Sequence, residues 1–122
     1  MTTPRLEPGL WSMLRFLFQP NAHPMADLEP LSQEEITDAL SGLDGWTFEA
    51  DAITRSFSFS DFRAAVSFIV RLSYYAEEYN HHPELHNVYN SVTVTLTTHD
   101  AGNKVTGMDV ALAREINGFS WV

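Results

Sequence analysis

"AITRSFSFSDFRAAVSFIVRLSYYAEEYNHHP", residues 52–83, changes its hydrophobic period partway along. In its first part Ile53, Phe57 and Phe59 alternate with Thr54, Ser56, Ser58 and Ser60. Period two sends successive side chains to opposite faces, so a strand with one buried and one polar face is expected. Arg55 interrupts the apolar face, which puts it near the edge of the core. After Asp61 the period becomes that of a helix. Phe62, Ala65, Val66, Ile69, Leu72, Ala76 and Tyr79 recur at spacings of three, four and seven, and Phe68 and Tyr75 widen the stripe. A helix over about 61–79 follows, capped by Ser60 or Asp61. Pro83 forces His82 out of helical geometry, so the helix closes near Asn80. His81 and His82 then sit at its exit.

The flanks complete the pattern. Upstream, "WTFEA" (46–50) pairs with residues 52–60 as a hairpin turning at 50–52. Before it, "LSQEEITDAL" (31–40) has Ser32 and Glu35 in a capping box, with Leu31 and Ile36 as the matching staple. Ile36, Ala39, Leu40 and Leu43 share a face, and Gly42 and Gly45 stop the helix. Downstream, "NVYNSVTVTLTTH" (87–99) is one strand, or two with a break at Asn90. Val92, Val94 and Leu96 face one way, while Thr93, Thr95, Thr97 and His99 face the other. "DAGNK" (100–104) is a turn. The last helix opens on a second capping box, Thr106 and Asp109, and presents Leu112, Ala113, Ile116 and Phe119. The order α-β-β-α-β-β-α predicts an α+β two-layer sandwich, an antiparallel sheet of about four strands with three helices on one face. Its exposed edges invite pairing with a second subunit.

A chain of 122 residues fits one domain. It has no cysteine, which removes disulfides, thiol nucleophiles and Cys-based zinc sites and is compatible with a reducing compartment. Its formal charge is −9, and Arg5, Glu7 and Arg15 are the only charges in residues 1–24, so the acidity lies in the rest. Such a surface repels phosphate backbones and anionic membranes, and no nucleic-acid or membrane partner is expected. No apolar run approaches bilayer length. Residues 1–30 differ from the remainder, with prolines at 4, 8, 20, 24 and 30 around an apolar "GLWSMLRFLF" (9–18) that suits a short helix. They are read as a loosely ordered extension preceding the domain at 31–122.

Three of the five histidines, His81, His82 and His86, fall within six residues, and His99 follows the next strand. Imidazole both gives and takes protons near neutral pH. A helix of 61–79 is about 28 Å long, and a strand of 91–98 moves the chain about 25 Å. One simple helix–strand hairpin would deliver His99 to the wrong end of the helix. Either the loop at 80–86 and residues 87–90 carry the chain back before the strand begins, or a neighbouring subunit contributes. Two other readings stay open. The His-His pair can cap the helix terminus, where a protonated ring meets the dipole favourably. Alternatively Glu77, His81 and His82 with His86 or His99 can ligate a metal, although no HExxH-like spacing is present.

The stretch "EEYNHHPELHNVYNSVTVTLTTHDAGNKVTGMD" (77–109) resembles the signature of the pterin-4a-carbinolamine dehydratases. Glu77, His81-His82-Pro83, Tyr89, His99 and Asp109 meet its elements, and the likeness extends over about residues 31–118. The resemblance implies a hydro-lyase that converts 4a-hydroxytetrahydrobiopterin, the product of aromatic amino-acid hydroxylases, to quinonoid dihydropterin. It implies no metal and no organic cofactor. By the same resemblance His81 and His99 transfer protons and His82 positions the pterin hydroxyl. Glu77 orients an imidazole or touches the ring, and Asp109 caps the last helix, sets a histidine tautomer, or does both. Thr97 and Thr98 offer backbone groups to the pterin edge, with Asn80 and Pro83 completing the binding set. Leu85 stands where the family commonly has tryptophan and His86 where an aromatic is usual, which implies a pocket lacking one wall. Relatives of this family also act as dimerisation partners of a transcription factor or as assembly chaperones of Rubisco, so a non-catalytic binding module is the second expectation. A cytoplasmic homodimer or homotetramer, in a pathway with an aromatic amino-acid hydroxylase, is implied throughout.

Overall fold

The computed structural model describes residues 28–120. The helix expected at 9–18 lies outside them. The described chain runs α1 (Gln33–Ser41), β1 (Thr47–Glu49), β2 (Ala52–Ser58), α2 (Phe62–Tyr79), β3 (Glu84–Val88), β4 (Ser91–Leu96), a 3₁₀ turn (His99–Ala101) and α3 (Gly107–Phe119). All strand pairs are antiparallel, in the order β1-β2-β4-β3. The expected element order and the four-stranded α+β sheet are both present.

Local chemistry explains each boundary. The Ser32 hydroxyl accepts from the Glu35 amide at 3.1 Å, and the Glu35 carboxylate accepts from the Ser32 amide at 3.0 Å. The Ser32 backbone bond, helped by its hydroxyl, holds Glu35 below the usual carboxylate range. Asp61 caps α2 by accepting from the Ala64 amide at 2.8 Å. Asn80 ends that helix in the left-handed region, φ 50°, a conformation asparagine tolerates better than most residues. The β1–β2 turn uses Ala50 and Asp51 with φ of 53° and 60°.

Period two in β2 and β4 sorts the faces. Ile53, Phe57, Val92, Val94 and Leu96 are buried in one core with Leu72, Leu112 and Ile116 of the helices. On the other face hydroxyls pair across strands, Thr54 with Thr95 at 3.2 Å and Ser56 with Thr93 at 2.9 Å. Arg55 lies on the apolar side, as its parity demands. Its guanidinium escapes over the Phe57 ring, 4.4 Å from the centroid, to the Asp44 carbonyl at 2.8 Å and Asn117 Oδ1 at 2.6 Å. Gly45, with φ 85°, makes room for it, since a Cβ there would stand 2.5 Å from Arg55 Nε.

The α2 stripe differs from expectation. Its buried line is Ala65, Phe68, Leu72 and Ala76, whereas Phe62 and Val66 are exposed and lie with Val70 and Tyr74 along the outer side. Phe68 sets the rotation. Its ring sits 4.9 Å from both Phe57 and Phe59 and 5.7 Å from Phe119, and this aromatic cluster outweighs the two residues left outside.

Candidate active site

The hairpin of β3 and β4 solves the distance problem posed by the histidines. After His81 and His82 the chain runs away along β3 and turns at Tyr89–Asn90, where Tyr89 has φ 51°. It then returns along β4, with Glu84 opposite Thr95. Just beyond this pair, His82 and Thr97 line the same cleft. His99 thereby arrives beside the exit of α2 within one chain. Of the two alternatives for this segment, the return before the strand is the one observed.

A cleft of about 210 Å³ lies at this junction. The exit of α2 contributes Asn80, His81 and His82, and the end of β4 contributes Thr97, Thr98, His99 and Asp100. Leu28, which the sequence groups with the leader, and Met108 at the start of α3 add apolar wall.

The three imidazoles have different surroundings. His81 is 7 % exposed, and its Nε2 meets Asp109 Oδ1 at 2.5 Å. Asp109 is fully buried at the third position of α3. Its Oδ2 accepts from the Thr106 amide and from the Thr98 hydroxyl, both at 2.8 Å. Asp109 therefore closes the helix cap and stands against His81 Nε2. His82 is exposed, and its Nε2 lies 3.4 Å from Glu77 Oε1, a long contact between two solvated groups. His99 is exposed, with Nδ1 3.1 Å from Asn103 Oδ1.

Other expected residues fall differently. The Thr98 amide donates to the Lys104 carbonyl at 2.9 Å, and its carbonyl accepts from Ala101 and Asn103. Its backbone is turned into the loop rather than offered to a ligand. The Thr97 hydroxyl donates to the Asp51 carbonyl at 2.9 Å. Pro83 is half-buried beside the cleft-lining His82. His86 pairs with Thr93 and so lies on the hydroxyl-paired face of the sheet, turned from the helices. Leu85 pairs with Val94 on edge strand β3 and does not line the cleft within this chain. Among the described residues no three His, Cys, Asp or Glu side chains come together as a metal site. Asn103, Met108 and Leu28 were not singled out by the sequence. Asn103, four residues after His99 in a tight turn, carried the one readable signal.

An imidazole backed by a buried carboxylate and one backed by an amide, facing one small cleft, can give and take protons on a single ligand. The cleft is smaller than usual for drug-sized ligands, which suits a compact ring.

The chain is similar to known proteins along most of its length. Residues 29–119 match the family model described as pterin 4 alpha carbinolamine dehydratase. A protein of Opitutus terrae, provisionally named a pterin-4-alpha-carbinolamine dehydratase, is 52% identical over 92 residues, covering 75% of this chain and 95% of its own. One from Rhizorhabdus wittichii with the same provisional name is 48% identical over 95 residues, covering 76% and 97%. A crystal structure of a transcriptional coactivator/pterin dehydratase from Brucella melitensis superposes with a TM-score of 0.72 at 45% identity, covering 75% of this chain and 99% of that one.

Proposed function

The chain belongs to the pterin 4 alpha carbinolamine dehydratase family, and from that premise we propose that it dehydrates 4a-hydroxytetrahydrobiopterin to quinonoid dihydropterin in tetrahydrobiopterin recycling. The observation that carries this reading is the return of His99 to the His81–His82 exit around one cleft. In the reaction the C4a–oxygen bond breaks and its electron pair leaves with the oxygen, which takes up a proton. The adjacent ring nitrogen loses a proton, and its electrons form the carbon–nitrogen double bond. One water is the net loss. In this proposal His81 and His99 move the two protons, each contributing about 10²–10⁴-fold, and His82 holds the leaving hydroxyl. Glu77 orients His82, and Asn80, Pro83, Thr97 and Thr98 shape the ring's surroundings. The enzyme needs no cofactor in this scheme. It works in the cytoplasm beside an aromatic amino-acid hydroxylase.

The test is dehydration of a carbinolamine generated in situ. Wild-type protein should accelerate it, and the double variant His81→Ala with His99→Ala should return the rate to that of buffer. A wild-type rate equal to buffer would remove the enzyme reading.

One observation favours a second reading, a binding module. Phe62, Val66, Val70 and Tyr74 form an exposed apolar row along α2. Such rows mark protein contacts. A homodimer or homotetramer, or a foreign partner, would cover it. The Brucella melitensis protein's description as a transcriptional coactivator makes a binding role worth testing beside catalysis. A complex that survives loss of His81 and His99 would support it.

A further inference from the structure

We propose that Asn103 is a positioning residue that fixes the tautomer of His99, making its Nε2 the proton-accepting atom of the cleft. The inference rests on the proton-transfer role proposed above for His99. Asn103 Oδ1 lies 3.1 Å from His99 Nδ1. An amide oxygen has lone pairs and no hydrogen, so Nδ1 carries the hydrogen of the neutral ring. Nε2 is left with the lone pair, and it is the nitrogen that Asn103 does not occupy. An unconstrained neutral imidazole favours the opposite tautomer, with its hydrogen on Nε2. Asn103 thus holds His99 in the form that accepts a proton on that atom.

The turn keeps Asn103 in place. Its amide donates to the Thr98 carbonyl at 3.0 Å, and the Thr98 amide donates to the Lys104 carbonyl at 2.9 Å. The Gly102 amide donates to the His99 carbonyl at 3.0 Å. Lys104 is tied to Asp51 at 2.9 Å. Asn103 itself has φ 60°, a region open to asparagine, aspartate and glycine but costly for most residues. The charged and titratable groups facing His99 are His81 and His82 across the cleft and Asp100 beside it. His81 contrasts with His99, since its partner is the carboxylate of Asp109. The two rings are therefore held differently, one against an anion and one against a neutral acceptor. That asymmetry suits one donor and one acceptor of protons.

The experiment uses two substitutions that both suit the left-handed turn. Asn103→Gly removes the acceptor, and Asn103→Asp keeps an acceptor but adds charge. The first readout is the ¹⁵N chemical shifts of the His99 ring in the substrate-free protein, which needs no catalysis. Wild type should show the hydrogen on Nδ1, and Asn103→Gly should move it mainly to Nε2. In the dehydration assay Asn103→Gly should lose about 5- to 50-fold in kcat with little change in KM at any pH. Asn103→Asp should move the acid limb of the pH–rate profile upward by about half to one unit. Above that limb it should regain a rate within about threefold of wild type. A hydrogen on Nε2 in the wild-type ring, or shifts unchanged in Asn103→Gly, overturns the proposal. Absence of dehydration with the expected ring shifts would instead strike the proposed function and leave the tautomer assignment standing.

Discussion

A buried carboxylate needs partners for its lone pairs, and Asp109 has three polar groups around it. Thr98 and the Thr106 amide donate to Oδ2, and His81 Nε2 faces Oδ1. Sequence placed Asp109 in a capping box but left its second duty open, because spacing alone cannot say which histidine a helix start will face. Asp109→Asn tests the dual role. An amide replaces one acceptor with a donor, which then opposes either the Thr106 N–H or the His81 ring. We expect a loss of about 1–3 kcal/mol in urea denaturation and a fall in kcat of about 10²-fold or more. Thr98→Val, which removes a single donor, should show a smaller version of both. Wild-type kcat in Asp109→Asn would mean that the carboxylate serves the helix cap alone.

At the scale of elements, α2 has two apolar sides, and only one is covered by the described residues. The inner side packs on the sheet through Phe68 and Leu72, while Val70 is 51% exposed at the middle of the outer row. An antiparallel second copy centred on Val70 would lay Val66 against Tyr74, so the row is self-complementary. Val70→Asp should therefore shift the protein to a smaller species in sedimentation velocity while leaving its far-UV circular dichroism unchanged. A monomeric wild type, or an assembly indifferent to this change, would exclude α2 as the contact. This helix also marks how far sequence reaches. Its ends were legible, since Asp61 and Pro83 act through local chemistry. Its rotation was legible in part, because Ala65, Phe68, Leu72 and Ala76 of the expected stripe are buried while Phe62 and Val66 of the same stripe lie outside. The choice fell to ring contacts with Phe57, Phe59 and Phe119, which lie distant in sequence. The His81–His99 convergence was undecided for a related reason. "ELHNV" shows weak alternation on an exposed edge, so the expected strand began only at residue 87, and the start of β3 at Glu84 came from its pairing with β4.

For the whole molecule, the link between the two long helices sets an alkaline limit on stability. Tyr79, the last residue of α2, donates its hydroxyl to Glu115 of α3 at 3.2 Å. Burial first, and the Glu115 charge second, raise its phenol from 10.0 to about 12. In the unfolded chain the phenol loses its proton near pH 10; in the folded chain it keeps it to about pH 12. Between these values the unfolded state binds fewer protons, so stability falls as pH rises. The contribution is whole below pH 10 and is lost progressively toward pH 12. Its ceiling is about 3 kcal/mol, and solvent screening of this half-buried group reduces it to about 1 kcal/mol. Urea midpoints measured from pH 8 to 11.5 should therefore decline more steeply in wild type than in Tyr79→Phe. The remaining tyrosines and the mounting negative charge are common to both proteins, so the difference between the curves isolates this phenol. Parallel curves would mean that Tyr79 ionises as freely in the fold as out of it, and that the α2–α3 contact rests on packing alone.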